Sequence, residues 1–169
     1  MINVFIVSRY IASMRFVEVN TAKEDVIEQQ IVSVIGMARN RLQMSTHLSP
    51  LLFNSGPISQ AFEEVLPRIK RFEIVIGSNV NIANRRAQIS WFDKALDSGK
   101  TVVKKADTAV PEWILADRKN FCIQKIPRGG NQPMLNIFKA NFVISEIITD
   151  KFDDLWHNAA LEFPEILVF

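Results

Sequence analysis

The residues with the clearest chemical potential lie just after the most hydrophobic run of the chain. The segment GSNVNIANRR, residues 77–86, follows FEIVIG and offers hydroxyl, amide and guanidinium groups that can bind an anion. A helix that begins near Ile82 would add backbone N–H donors, which bind phosphate well. The predicted ligand or phosphate site comprises Ser78, Asn79, Asn81, Asn84, Arg85 and Arg86. The alternative is a loop capped by asparagines, with both arginines in water.

Histidine is the side chain best suited to proton transfer near neutral pH, and the chain has only two. His47 ends a short apolar run, at the position where open α/β sheets commonly bind ligands. We therefore add His47 to the predicted ligand site, with a purely structural role as the alternative. His157 follows Trp156 beside an apolar stripe, so we expect it at the surface.

Other familiar chemistries are not supported by the residues. Cys122 is the single cysteine, which excludes an intramolecular disulfide and leaves zinc without a thiolate set. It lies in an alternating apolar run, so we expect a buried or edge-strand position. A lone cysteine also favours a cytoplasmic location. The sequence has neither a Gly-x-Ser-x-Gly elbow nor a phosphate loop, and we predict no metal, no cofactor and no catalytic residue.

An aspartate at the tip of a predicted hairpin raises a separate question. In VPEWILADRKNFCIQK, residues 110–125, two apolar runs flank the polar segment DRKN. Asp117 and Asn120 are typical of turns because their side chains bond to the nearby backbone. Asp117 could equally be a remnant of catalysis, and the wider arrangement of elements decides between these readings.

Helical stripes alternate with short apolar runs along the chain. Thr21 and Glu24 form a capping box before the first helix, whose stripe consists of Ile27, Ile31, Ile35, Ala38 and Leu42. Further helices are predicted after Pro57, over 82–96 and over 144–159. Strands are predicted at 43–48, 72–77, 100–105, in the two arms of the hairpin and near 134–138. This order indicates an α/β protein with helices flanking a mixed β-sheet, and it places Val75 and Ile76 at the centre of that sheet.

This arrangement resembles one half of the phospholipase D-like superfamily. The resemblance covers about residues 22–160 and depends on element order and on two local patterns, ILADRKNFCIQK in the hairpin and FDDLWHNA in the last helix. Members of that family carry a His-x-Lys-x-x-x-x-Asp motif at the hairpin. Their last helix often ends in Phe-x-x-Leu-Trp, matched here by Phe152, Leu155 and Trp156.

The resemblance implies that the catalytic pair of the family is missing. With Asp117 at the motif aspartate, Val110 stands at the nucleophilic histidine and Glu112 at the lysine. Valine cannot attack phosphorus, and a glutamate would repel the negative charge that the lysine stabilises. Asp117 is therefore interpreted as a turn residue in a domain that has lost or never had the chemistry.

The charge of the chain is uneven although its net value is only +2. Residues 68–128 contain thirteen Lys and Arg against six Asp and Glu, whereas residues 129–169 contain two against six. A basic centre of this kind is typical of proteins that bind phosphate-bearing partners, and a solvated surface is the alternative reading.

Three functions remain open from the sequence. The leading hypothesis is a non-catalytic phospholipase D-like domain of a bacterial or archaeal cytoplasm that senses a ligand or binds a partner as an adaptor. The alternative is a nucleic-acid-associated protein that binds the phosphate backbone, weakly, through the basic region 68–128. The third is a phosphodiesterase with an unrecognised site.

The length and composition indicate one domain. At 169 residues and 48% apolar, the chain can bury a single core. We predict an N-terminal strand or extension at 1–20, one phospholipase D-like domain at 21–160 and an apolar tail at 161–169. No stretch reaches the roughly 18 apolar residues of a membrane span. The apolar ends either fold back on the domain or form an interface, and we predict a homodimer.

Overall fold

The computed structural model describes residues 16–20, 24–125, 134–139 and 142–161. Eight strands are present in this part of the chain: β1 (Phe16–Asn20), β2 (Arg41–Thr46), β3 (Arg71–Ile76), β4 (Thr101–Lys105), β5 (Glu112–Ala116), β6 (Asn120–Lys125), β7 (Met134–Lys139) and β8 (Ala160–Leu161). Six helices accompany them: α1 (Glu24–Met37), α2 (Pro50–Phe53), α3 (Gly56–Val65), α4 (Ile82–Gln88), α5 (Ser90–Asp97) and α6 (Phe142–Asn158).

All eight strands form one mixed sheet in the order β1-β7-β6-β5-β2-β3-β4-β8. Strands β2, β3 and β4 are parallel to one another, and every other pairing is antiparallel. Because parallel strands need crossover connections, helices lie between β2, β3 and β4. The prediction of an α/β protein with helices on a mixed sheet is confirmed.

One face of the sheet carries the larger core. Buried apolar residues of α1, α3 and α5 pack there against β2, β3 and β4. Trp91 of α5 is fully buried, its ring stacked on Phe62 with centroids 3.7 Å apart. Its indole N–H donates to the carbonyl of Phe53 at 2.7 Å, so the polar atom of the largest side chain is satisfied inside the core. Trp91 is therefore a core residue.

The other face is covered mainly by α6. Phe152 and Ile148 of this helix pack against Val75 and Leu115. Alternate residues of β3 therefore enter different cores: Ile74 enters the larger one and Val75 the α6 one, as the two-residue period of a strand requires. Both are fully buried. Strand β3 is interior but lies third from one edge of the sheet, so it is not at its centre.

Two element boundaries differ from the sequence-based expectation. Leu42 belongs to β2, not to the first helix, because α1 ends at Met37. The single helix expected over 82–96 is two helices, because Ile89 between them has an extended backbone with φ −123° and ψ 102°. That bend buries Ile89 together with Trp91, so apolar burial outweighs helical continuity here.

Cys122 is buried in β6, and burial raises the pKa of its thiol to about 12. The thiolate is the nucleophile, so the native protein should react with a thiol-specific disulfide reagent at pH 8 only after unfolding. The measurement is the absorbance of the released thiolate with and without denaturant. Complete reaction within minutes in native buffer would contradict the burial of this residue.

Several predictions fall on residues outside the described ones. These are the capping box residue Thr21 and most of the apolar ends that motivated the homodimer, which stays a prediction. Within the described ranges, none of the helices combines the length and apolar character needed to cross a bilayer.

Candidate functional site

The carboxyl ends of the three parallel strands meet at one edge of the sheet. His47 follows β2, Gly77 follows β3, and Lys105 ends β4. Strand β5 runs antiparallel to β2, so its first residue, Glu112, reaches the same edge. This is the edge where open α/β sheets bind ligands, and the predicted site residues around 77–86 also follow β3 there.

His47 is held by Glu112. Its backbone N–H donates to Glu112 Oε1 at 2.6 Å, and its ring Nδ1 lies 2.9 Å from the same oxygen. A carboxylate can only accept, so this contact places the proton on Nδ1 and turns Nε2 away from the glutamate. Both side chains are partly exposed. The residue that pairs with His47 lies 65 positions away in the sequence, and the role of His47 in the predicted ligand site stays a prediction.

The backbone around this pair is tightly constrained. Leu48 has φ of 49°, a left-handed value that a leucine rarely adopts. Its side chain is fully buried, and its N–H donates to Thr46 Oγ1 at 2.9 Å. A side chain at Gly77 would place its Cβ 3.2 Å from His47 Nε2 and 3.2 Å from Asn79 Oδ1. Glycine therefore lets the imidazole lie directly against the β3 loop.

An open cleft of about 490 Å³ lies at the same edge of the sheet, and neither His47 nor Glu112 lines it. Its lining consists of Ser78, Asn79, Val80, Asn81, Ile82, Ala83, Arg86 and Lys105. Two cations and three short polar side chains face the cleft, and no carboxylate lines it. Such a lining suits a small anion better than a cation.

The structure brings together only part of the predicted site. Ser78 and Asn79 are exposed and line the cleft. Asn81 lines the cleft and also caps α4, because its Oδ1 accepts the N–H of Asn84 at 3.1 Å. Asn84 is exposed and does not line the cleft.

The two arginines of α4 differ from each other. Arg86 lines the cleft, but its Nε donates to Asp93 Oδ1 at 2.7 Å. Arg85 does not line the cleft and donates to Gln88 at 3.0 Å. Both arginines were expected to offer free charge to the ligand. Arg86 faces the cleft but is paired with Asp93, and Arg85 does not line the cleft.

Sequence reasoning missed two residues of this edge. Lys105 was not singled out, although it ends a strand parallel to β3, and that parallel order was the available signal. Glu112 was considered only as an unsuitable replacement for a lysine. Its pairing with His47 gave no sequence signal, since the two residues meet only through the β2–β5 pairing.

Asp117 is a structural residue at the opposite edge of the sheet. Its carboxylate accepts three backbone N–H groups, from Arg39 at 2.7 Å and from Asn40 and Arg41 at 2.8 Å each. Asp117 and Arg118 both have positive φ, 52° and 58°, as in the tight turns that connect hairpin strands. The hairpin tip is thereby fastened to the α1–β2 connection, which supports the turn interpretation.

The arrangement at the carboxyl edge has limited chemical capability. Val110, at the position of the family's nucleophile, is buried. A histidine oriented by a carboxylate can serve as a base. Among the described residues, however, no hydroxyl or thiol is hydrogen-bonded to His47 Nε2 as a nucleophile would be.

Comparison with known proteins identifies the fold. No protein-family model matches the sequence, and no curated protein sequence matches it. Solved structures do match. Nuc from Salmonella typhimurium, a phospholipase D family member, has a TM-score of 0.62 and 16% identity, covering 88% of this chain and 97% of that one. NucT from Helicobacter pylori has a TM-score of 0.57 and 11% identity, covering 86% and 96%.

A third similar structure is TrmBL2, described as an archaeal chromatin protein with a novel mode of DNA binding, with a TM-score of 0.66 and 14% identity. The match covers 93% of this chain but only 58% of TrmBL2. At these identities the likeness concerns the fold. The chain has a phospholipase D-like α/β fold, as the resemblance implied.

Proposed function

We propose that this domain is a non-catalytic phospholipase D-like module that binds a small phosphate-bearing ligand in the cleft at the carboxyl edge. As a sensor or adaptor, it would couple occupancy of that cleft to another part of its assembly. The fold alone does not define a function, so the proposal depends on the site.

The observation that carries the non-catalytic part of the proposal is the contact between Glu112 and His47. At the position that the resemblance assigns to a charge-stabilising lysine, Glu112 uses Oε1 to hold both the backbone and the ring of His47. A carboxylate at this point disfavours the build-up of negative charge that phosphoryl transfer requires. The imidazole is held in one orientation, as a binding group would be.

The cleft itself supports an anionic ligand. Lys105 and Arg86 supply positive charge, while Ser78, Asn79 and Asn81 supply neutral polar groups. Arg86 is shared with Asp93, and Lys105, at the end of β4, is the second cation that lines the cleft. Hydrogen bonds between ionised partners are about twice as strong as neutral ones.

Binding of inorganic phosphate, followed by calorimetry or by thermal shift, tests this proposal. Lys105→Ala is expected to weaken phosphate binding by about 10- to 100-fold, because it removes a charge-assisted hydrogen bond worth roughly 1.5–3 kcal/mol. Lys151→Ala is the matched control, since Lys151 is exposed on α6 and does not line the cleft. Equal affinities in the wild type and the Lys105 variant would contradict the assignment.

The non-catalytic part of the proposal has its own contrary result. The purified protein is expected to leave bis-p-nitrophenyl phosphate intact. Turnover of this compound that disappears in His47→Ala would show instead that the Glu112–His47 pair is a catalytic dyad, and would favour the phosphodiesterase hypothesis.

Nucleic-acid binding is the second candidate function. The structural likeness to TrmBL2, whose description includes DNA binding, favours it, and so does the surplus of seven positive charges in residues 68–128. Phosphate backbones attract such surfaces without sequence readout.

The basic region 68–128 is not one surface, however. Arg86 pairs with Asp93, Lys94 with Glu63 and Arg118 with Asp153. Asp93 is already counted in the surplus, whereas Glu63 and Asp153 lie outside 68–128, so their pairs offset two of the seven surplus charges. A nucleic acid would therefore contact a smaller group of cations than the sequence suggested.

A further inference from the structure

We infer that a nucleic-acid backbone binds at the amino edge of the parallel strands, opposite the cleft, on a basic corner formed by Arg39, Lys70 and Lys119. The inference rests on the second candidate function and assigns it a surface. It departs from the sequence-based expectation, because Arg39 lies outside 68–128 and because Arg85 and Arg86 are not part of it.

Backbone hydrogen bonds bring the three cations of the basic corner together. Arg39 N–H donates to Asp117 Oδ2 at 2.7 Å, which joins the α1–β2 connection to the hairpin tip. Lys70 N–H donates to the carbonyl of Asn40 at 2.7 Å, which joins the α3–β3 connection to the same point. Lys119 N–H donates to Ala116, closing the hairpin turn beside Asp117. The basic corner is therefore a rigid junction of three connections.

The cations of the basic corner are exposed, and none has a carboxylate partner in the described part of the chain. This distinguishes them from Lys94, which is also exposed but pairs with Glu63 at 2.6 Å. Like charges held close together repel one another, so an unneutralised group on a rigid junction gains the most from an anionic partner.

Two acids of the amino edge, Asp117 and Glu73, are directed inward, whereas Glu146 and Asp150 are exposed on α6 and line a shallow pocket together with Lys119. Both carboxylate oxygens of Asp117 accept hydrogen bonds from backbone N–H groups. Glu73 is fully buried, with Arg41 Nε at 2.7 Å and Arg71 Nε at 2.7 Å from its oxygens. These two carboxylates therefore reduce the positive potential of the basic corner less than an exposed ion-pair partner would.

Other cations at this edge serve the ends of helices. Arg68 donates to the carbonyls of Gly36 and Ala38 at the end of α1. Lys100 donates to those of Leu66 and Pro67 beyond α3. These contacts satisfy orphan carbonyls and the negative ends of the helix dipoles. Arg39 of the basic corner makes only a longer contact of this kind, from Nη1 to the carbonyl of Gly36 at 3.4 Å.

The dimensions suit a short stretch of phosphate backbone. Strands β5, β2 and β3 are neighbours in the sheet, and adjacent strands lie about 4.8 Å apart. The basic corner, which extends from the hairpin tip at β5 to the start of β3, therefore spans roughly 10 Å. One strand of a duplex presents a phosphate about every 3.4 Å along its axis, or about three phosphates over that length. Three cations facing about three phosphates predict a salt slope near −3 for log K against log salt, which corresponds to weak, non-specific binding.

The test is a fluorescence anisotropy titration of the full chain with a labelled 20-base-pair DNA duplex at several salt concentrations. The double variant Lys70→Ala, Lys119→Ala should reduce the magnitude of the slope by about 2 and weaken binding roughly tenfold per lysine at 0.1 M salt. The matched control, Lys94→Ala with Lys151→Ala, removes the same two charges from other exposed positions. It should leave the slope unchanged.

The possible outcomes distinguish a wrong assignment of the basic corner from a failure of the nucleic-acid-binding function itself. A wild-type protein that does not bind the duplex at low salt would overturn both this inference and the second candidate function. Binding that weakens equally in both double variants would overturn the basic corner alone. Binding that competes with inorganic phosphate and weakens in Lys105→Ala would place the nucleic acid in the cleft instead.

Discussion

Replacement of Ile74 by aspartate is expected to abolish most of the stability of the domain. Ile74 is fully buried and lies between Met44 of β2 and Val103 of β4, two apolar residues of the larger core. An aspartate there loses the packing of the isoleucine and buries a charge without a partner, a combination that costs about 5 kcal/mol. Total stabilities are about 5–15 kcal/mol. Urea denaturation followed by circular dichroism measures the change.

The neighbouring residue provides a matched comparison. Val75 is equally buried but faces the α6 core, and its register partner on β4 is Lys104. The Lys104 ammonium donates to the carbonyl of Trp156 and lies over its ring. Because register partners share a face of the sheet, an aspartate at Val75 would be buried on the same face as this cation, so Val75→Asp should cost about 2 kcal/mol less than Ile74→Asp. The reverse order of stabilities would show that the two faces of β3 have been assigned wrongly.

Asp117→Ala is expected to lower the free energy of unfolding by about 3 kcal/mol. The change removes three charge-assisted hydrogen bonds to Arg39, Asn40 and Arg41. Two of these are exposed, so water replaces part of the loss. Alanine also adopts the left-handed φ of 52° less readily than aspartate does. The measurement is the denaturation midpoint at unchanged m-value.

Asp117→Asn is the control for this prediction. Asparagine tolerates the left-handed backbone and keeps one acceptor oxygen, so it should cost about half as much as alanine. If both variants were as stable as the wild type, the link between the hairpin tip and the α1–β2 connection would be incidental. Loss of phosphate binding without loss of stability would instead support a role for Asp117 in the site.

The fold could be predicted from the sequence because the information is local. The stripe of α1, the apolar run of β3 and the turn residues of the β5–β6 hairpin each define their element within a few positions. The break at Ile89 could not be predicted in this way. The residues on both sides of it suit a helix, and the extended backbone arises from the burial of Ile89 and Trp91 in the core.

The candidate site could be predicted only in part, because much of it depends on contacts between residues that are distant in the sequence. The polar residues of the loop after β3 are recognisable from the sequence because they follow an apolar strand, and Ser78, Asn79 and Asn81 do line the cleft. The contact of His47 with Glu112 depends on pairing between distant strands. The paired state of Arg86 likewise depends on Asp93, one helix further on. Composition shows how many charges exist but not which of them the fold has already neutralised.

The buried carboxylate of Glu73 has a consequence for how the sheet assembles. Glu73 lies on β3 between the apolar Phe72 and Ile74, and it is satisfied only because Arg41, Arg71 and Gln43 surround it on the same face. A slip of β3 by one residue against β2 would turn every side chain to the other face. Glu73 would then enter the aromatic core, where an unpaired charge is costly. Apolar strand residues alone give similar free energies to neighbouring alignments of two strands. The buried carboxylate of Glu73 raises the free energy of the misaligned sheet, so misaligned pairing is disfavoured during folding.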